Sequence, residues 1–355
     1  MHSIHLMSHQ DGLGKAARCR MHEITGTQVQ RLLAKLQVID TFLPKIALCE
    51  MISRTDYSVG EANNKEDENG GKHVLQEVSI IGHLRRINAL HDDTTTAIEL
   101  GAGTGRLSDR LQKVTNAKLT HILVDRQDFS LNHCRERVMR ARCRSPERQI
   151  KRVVADIGSL QIHDYAPINT SLCMSKHLCG PACDLAITSL SRMAEQSLQL
   201  LPPSAIATCC HYLCTWESFT GKQFWLALGL TAEDFTVATS CSQWASLQRK
   251  KSKTKNVTIA STSETVVLPD LLNVAHLAKA GLDRVDMSNV EMKFLPSKEF
   301  EKMFAREEKA LLGIQLKKLF DLSRASFCQQ LGYKEVELVR YTTRSTEDRL
   351  LLLRC

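Results

Sequence analysis

Apolar positions recur along this chain at two spacings, and the spacing changes where the elements change. Between residues 27 and 54, Val29, Leu32, Leu33, Leu36 and Ile39 fall at helical intervals. Residues 61–71, Glu-Ala-Asn-Asn-Lys-Glu-Asp-Glu-Asn-Gly-Gly, are polar throughout and read as a linker. Beyond it Val74, Val78, Ile81, Leu84 and Ile87 share a second helical face. The pattern then shortens. Ala97 to Leu100, Leu119 to Val124, Ile150 to Val154, Ser171 to Met174 and Ala205 to Thr208 are runs of strand length, and Arg106 to Val114 reads as a helix. A helical region from Ser297 to Leu331 follows. Two strands, Glu335 to Tyr341 and Arg349 to Arg354, close the chain around the polar turn Ser345 to Asp348. Strand alternating with helix predicts a parallel α/β sheet, to which the terminal hairpin adds an antiparallel pair. The expected division is an N-terminal extension over 1–71 and one α/β domain over 72–355. Residues 248–264, rich in Lys, Ser and Thr, read as an exposed insertion. Residues 1 to about 25 lack periodicity and are expected to be poorly ordered.

The first strand of that domain ends in Ile98-Glu-Leu-Gly-Ala-Gly-Thr-Gly105. Strand, glycine turn and helix form a geometry in which backbone N–H groups approach a nucleotide-like ligand. The order is G-x-G-x-G after an acid, not the G-x-G-x-x-G of dinucleotide sites. A carboxylate at Glu99 would repel a pyrophosphate and suits the cationic amino-acid end of S-adenosylmethionine. The next strand ends twenty residues on in Asp125, where an acid accepts ribose hydroxyls. The third ends at Asp156. The alternative is a tight structural turn. The sequence E-x-G-x-G-x-G resembles motif I of the class I methyltransferases.

Composition narrows this reading only a little. Hydrophobic residues make up 43% of 355, which fits a globular protein. No apolar run is long enough to span a bilayer, and no secretory signal is expected. Thirteen cysteines, scattered through core elements, suggest reduced thiols and an intracellular setting, cytoplasmic or nuclear. A net charge of +8 is compatible with an anionic partner such as RNA or with a solvated basic surface.

Two segments crowd reactive side chains just beyond strands four and five. They are Ser175-Lys-His-Leu-Cys-Gly-Pro-Ala-Cys-Asp-Leu-Ala186 and Cys209-Cys-His-Tyr-Leu-Cys214. In open parallel sheets ligands bind at the carboxyl ends of strands, so Lys176 and His177 are candidates for acid–base or positioning work. Cys179, Gly180, Cys209, Cys210 and His211 are candidates for the pocket wall. Cys-Cys-His-x-x-Cys is compatible with a metal, but structural zinc sites pair C-x-x-C ligands across a loop, and no metal is expected.

Together these segments resemble the eukaryotic tRNA 2′-O-methyltransferases that modify the fourth nucleotide of the acceptor stem, the tRNA:m(4)X modification enzyme family. The resemblance is carried by Lys176-His-Leu-Cys-Gly180 with Asp184-Leu-Ala186, by Cys209-Cys-His211 with Cys214, and by Trp216. Gly221-Lys222 with Phe224, Ala227-Leu-Gly-Leu230, Ser242-Gln-Trp-Ala245 and the helix from Lys72 to Gly82 add to it, over roughly residues 72–355. It implies a class I S-adenosylmethionine-dependent methyltransferase, with a Rossmann-like sheet, a terminal antiparallel hairpin and an N-terminal helical extension. It implies methyl transfer from S-adenosylmethionine to a ribose 2′-hydroxyl in the tRNA acceptor stem. Glu99, Gly101, Gly103 and Gly105 would hold the amino-acid part of the cofactor, Asp125 its ribose and Asp156 its adenine. Such family members carry small zinc-binding elements before the catalytic domain. Here only Ala17-Arg-Cys-Arg-Met-His22 resembles a remnant, and zinc binding is not carried over.

A basic run that includes Arg140, Arg142, Arg144, Lys151 and Arg152 is either a phosphate-tracking surface or a solvated helix face. Lys250, Lys251, Lys253 and Lys255 are candidates for a second contact. Two other functions fit parts of the pattern. One is a cytosine-C5 methyltransferase using Cys209 as nucleophile, which would need Pro-Cys where this chain has Lys-His. The other is a non-catalytic RNA-binding protein with a relict cofactor pocket, against which the intact glycine motif and Asp125 argue.

Overall fold

The computed structural model describes residues 24–42, 71–115, 118–129, 135–143, 147–196, 201–251, 304–342 and 349–355. Most of the expected linker, the insertion beyond Lys251, the zinc-element remnant, Arg144, Lys253 and Lys255 lie outside them.

The domain is built on seven strands: β1 (Thr96–Leu100), β2 (Thr120–Asp125), β3 (Ile150–Val154), β4 (Ser171–Cys179), β5 (Ser204–Cys209), β6 (Glu335–Val339) and β7 (Arg349–Arg354). They lie in the order β3-β2-β1-β4-β5-β7-β6. Strands β1 to β5 run parallel, whereas β7 pairs antiparallel with both β5 and β6. Chain order reverses between β1 and β4. That opens a crevice at their carboxyl ends, where α/β sheets bind ligands.

Side chains explain why both faces are covered. Successive strand residues point to opposite faces. Ile98, Leu100, Ile122, Val124, Cys173, Ile206, Leu351 and Leu353 enter one core. Their neighbours Ala97, Leu172, Met174, Ala205, Ala207, Leu350 and Leu352 enter another. The second core is closed by α2 (Gly71–Arg86) and α3 (Arg106–Val114), through Ile80, Ile81, Leu84, Leu107 and Leu111. The first is closed by α5 (Pro181–Gln196), α6 (Lys222–Ala227), α7 (Ala232–Ser242) and the long α8 (Arg306–Gln330). A shorter helix, α4 (Glu136–Arg142), lies before β3.

The described part of the N-terminal extension, α1 (Gly26–Phe42), docks on this domain. Val29, Leu32, Leu36 and Ile39 join the larger core, and Lys35 Nζ reaches Asp234 Oδ2 on α7 at 2.6 Å. No helix among the described residues is long and apolar enough to cross a membrane.

One boundary differs from the sequence reading in a way that matters for chemistry. β4 does not stop at Met174. Its pairing with β5 is interrupted between Ser175 and Leu178, then resumes with Leu178 opposite Thr208 and Cys179 opposite Cys209. Lys176 and His177 are therefore strand residues at an irregularity, not residues of the following loop.

Candidate active site

The glycine turn follows β1 as the spacing predicts. Gly101, Gly103 and Gly105 all take positive φ, 69°, 51° and 77°. L side chains disfavour that region, so three glycines fix a conformation that another residue would resist. The Gly103 N–H donates to Asp125 Oδ2 at 2.9 Å, which ties the turn to the end of β2. Asp125 Oδ1 accepts from the Gln127 N–H at 3.0 Å, and a carboxylate with about four acceptor positions keeps capacity for a diol. A Cβ built at Gly103 would meet no protein atom within 4 Å, so the turn borders open space. At Gly101 it would meet Leu178 Cδ2 at 2.7 Å, so that glycine lets β4 close against the turn.

Glu99 is buried behind the turn and accepts the Ser108 N–H at 3.0 Å, in the first turn of α3. Burial pushes its carboxyl up to about 7, against the pull of the Ser108 hydrogen bonding and the Lys176 ammonium. Asp156 is exposed and its Oδ1 accepts the Gly158 N–H at 2.7 Å, capping a single 3-10 turn after β3.

Lys176 and His177 have different environments. Lys176 is buried and its ammonium is ion-paired with Glu77 of α2. Arg110 on α3 donates to the other Glu77 oxygen at 2.8 Å. Burial alone would raise the Glu77 carboxyl; Lys176 and Arg110 outweigh it and hold it below the ordinary carboxylate value. His177 is exposed, and its ring meets His73 of α2 edge-on at 5.6 Å. Burial, then the neighbouring Lys176 charge, holds the His73 imidazole below its ordinary value. His73 and Glu77 are site residues that sequence reasoning missed. Their signal was two ionisable residues four apart, hence on one helix face, just before the glycine strand.

Of the proposed pocket wall, Cys179, Cys209 and Cys210 come together, their three sulfurs within 4.8 Å of one another. Gly180, at φ 58°, allows the end of β4 to press on the Leu213 backbone. His211 corrects the sequence reading: it is not wall. It is wholly buried, with Nε2 at 2.7 Å from Asp321 Oδ1 on α8. Burial keeps its imidazole below the ordinary value although Asp321 opposes this. Asp321 belongs to an interior network with Arg324, whose guanidinium also grips Asp184 through contacts of 3.1 and 2.7 Å and reaches Cys214 Sγ at 3.0 Å. The Asp184-Leu-Ala and Cys214 parts of the motif are thus structural. They fasten α5 and the turn after β5 to α8.

The basic run also divides. Arg152 is buried and ion-paired with Glu136, which removes it from any surface that meets phosphate. Arg142 donates to Asp109 Oδ1 at 2.5 Å and to Gln112 Oε1 at 3.0 Å. Arg140 is more than half exposed and contacts Glu136 at 3.2 Å, and Lys151 is exposed.

Strand order, left-handed glycine turn and strand-end acids fit an α/β domain of the methyltransferase type. The comparisons agree. The family model for methyltransferase TRM13 matches residues 75–354, and the chain belongs to that family. The tRNA:m(4)X modification enzyme TRM13 homolog of Dictyostelium discoideum is 28% identical over 224 residues, covering 60% of this chain and 41% of that protein. The enzyme of Schizosaccharomyces pombe is 24% identical, covering 78% of this chain and 65% of its own length. The Homo sapiens homolog is also 24% identical, covering 76% and 61%. The chain therefore spans less than two thirds of each of these relatives. Among solved structures, coclaurine N-methyltransferase bound to N-methylheliamine and SAH covers 92% of this chain and 90% of its own at 12% identity and a TM-score of 0.32. A superposition that loose bears on neither substrate nor chemistry.

Proposed function

We propose that this protein transfers a methyl group from S-adenosylmethionine to the 2′-hydroxyl of the fourth nucleotide in the tRNA acceptor stem. The observation that carries the proposal is the left-handed glycine turn, bonded to Asp125 and bordering open space at Gly103, in a chain of the methyltransferase TRM13 family. The names of the relatives supply the substrate class. The residues present suit the cofactor. The turn is open at the one glycine whose Cβ would enter ligand space, Asp125 has acceptors left for a ribose, and Glu99, buried behind the turn, holds the first turn of α3 through the Ser108 N–H. Asp156 stands at the end of β3 for the adenine. When bound, S-adenosylmethionine supplies an electrophilic methyl on a sulfonium.

The chain must then orient the ribose oxygen and help its proton leave. His177 is the better placed of the two candidates because it is exposed at the carboxyl edge of β4. Lys176, paired with Glu77, is a fixed positive charge that positions α2 against the strand and stabilises developing negative charge nearby. Of the basic run before and along β3, Arg140 and Lys151 remain the candidate phosphate contacts. Ten cysteines, none in a disulfide among the described residues, support a reducing, intracellular setting.

The test is to incubate the protein with tRNA and labelled S-adenosylmethionine, digest the product with nuclease and locate the methyl by mass spectrometry. A methyl on the fourth ribose of the acceptor stem supports the proposal. A methyl on a cytosine ring, or a covalent protein adduct on 5-fluorocytosine RNA, would show thiol chemistry at Cys209 instead.

A further inference from the structure

The proposed methyl transfer asks no chemistry of the three thiols at the carboxyl edge of β4 and β5, yet the fold brings them together. Cys179 and Cys209 are direct partners across the parallel pair, with sulfurs 3.6 Å apart. Cys210 would point to the opposite face if the strand continued, since strand side chains alternate. It instead takes φ 46°, one of only two non-glycine residues with positive φ among those described, and its thiol returns to the side of Cys209. All three sulfurs then lie within 4.8 Å of one another.

We propose that Cys179, Cys209 and Cys210 form a site for a thiophilic d10 cation, with zinc the first choice. Zinc–thiolate bonds of about 2.3 Å in a tetrahedron set ligand sulfurs about 3.8 Å apart. The Cys179–Cys209 pair already has that spacing, and the third sulfur is a side-chain adjustment away. A disulfide would need about 2.05 Å, so the pair is at ligand spacing and not at bond spacing. Cys179 is exposed and Cys209 and Cys210 are half-buried, so an ion can enter and a fourth position faces solvent. Binding exchanges the thiol protons, released to solvent, for the cation, with no change of oxidation state. Cys-Cys-His-x-x-Cys by itself suggests a different site, which the fold does not make. His211 goes to Asp321 and Cys214 to Arg324, and the third thiol comes from β4.

The inference is independent of the methyl-transfer proposal, because its readout is metal and not product. The full chain, reduced and stripped with a chelator, is titrated with zinc against a chromophoric chelator and with cobalt(II) followed by absorbance. The expected result is one bound equivalent at the cluster, with sulfur-to-cobalt charge-transfer bands. Both are lost in Cys179→Ser and in Cys210→Ser, while thermal melting of the stripped variants matches the stripped parent. Cys19→Ser, on the segment resembling a zinc-element remnant, should leave the cluster's equivalent in place. Retention of zinc and of the cobalt bands in the Cys179→Ser/Cys210→Ser double variant would overturn the site. So would their loss in Cys19→Ser alone.

Discussion

Replacing Gly103 with valine separates the ligand-binding role of the glycine turn from its structural role. The backbone at Gly103 sits at φ 51°, a region that costs an L residue about 1–2 kcal/mol and is worst for a β-branched one. No further steric term comes from the protein, because a Cβ there meets nothing within 4 Å. The Gly103 N–H remains available to Asp125. Stability by chemical denaturation should therefore drop by about 1–2 kcal/mol and the fold should persist. Ligand affinity should behave differently. If S-adenosylmethionine lies over the turn, the three carbons of the valine side chain now occupy its space. Calorimetry should then show at least about a 100-fold loss, about 2.7 kcal/mol. Gly101→Ala is the informative contrast. Its Cβ collides with Leu178 Cδ2 at 2.7 Å, so it should perturb the β1–β4 junction and lower stability further. A folded Gly103→Val variant that binds S-adenosylmethionine as tightly as the parent would refute the placement of the cofactor over the turn.

Three further outcomes follow from the same geometry. His177→Ala should lower kcat on tRNA by about 10²–10⁴-fold and leave S-adenosylmethionine affinity nearly intact; unchanged turnover would send the proton elsewhere. Arg324→Ala leaves Asp184 and Asp321 buried without their shared cation, and denaturation should show a loss of about 3–5 kcal/mol. Glu99, raised from 4.5 to about 7 by burial, is a weaker acid folded than unfolded. It favours the fold below pH about 4.5 and loses that contribution as pH rises through 7, at about 1.4 kcal/mol for each pH unit crossed and about 3 kcal/mol in all. Glu99→Gln should therefore gain stability over the parent at pH 8 relative to pH 4.5, and parallel pH profiles would contradict the burial argument.

The strand and helix pattern was legible because most strands are buried along their length, β1 and β5 above all, and α3 shows its apolar residues at helical spacing, so apolar spacing reports the element directly. The glycine turn and Asp125 were legible because backbone conformation at a ligand site leaves few choices of residue. What escaped was set by distant packing. Nothing local says that Lys176 lies inside β4 and faces Glu77, since the strand continues only because β5 resumes pairing after the interruption. His211 and Asp184 look reactive in sequence because polar residues at strand ends often are. Their partners, Asp321 and Arg324, lie more than a hundred residues away on α8 and turn them into interior supports. The arginine run misled for the same reason: Glu136 and Asp109 absorb charges that composition counts as available.

The thiol cluster bears on the choice between ribose and base as substrate. Attack on a cytosine ring needs a free thiolate, and reactive cysteines gain one from cations or helix N-termini beside them. Cys209 has the opposite surroundings. Neighbouring thiols and burial push its thiol upward. A metal in the cluster would deprotonate the thiol only by bonding to the sulfur that would have to attack. Neither state favours Cys209 as a nucleophile. A ribose 2′-hydroxyl acceptor, as proposed, calls for orientation and a route for its proton rather than for an enzyme thiolate. The exposed His177 and the charge of Lys176 stand on the strand edge where both would be supplied.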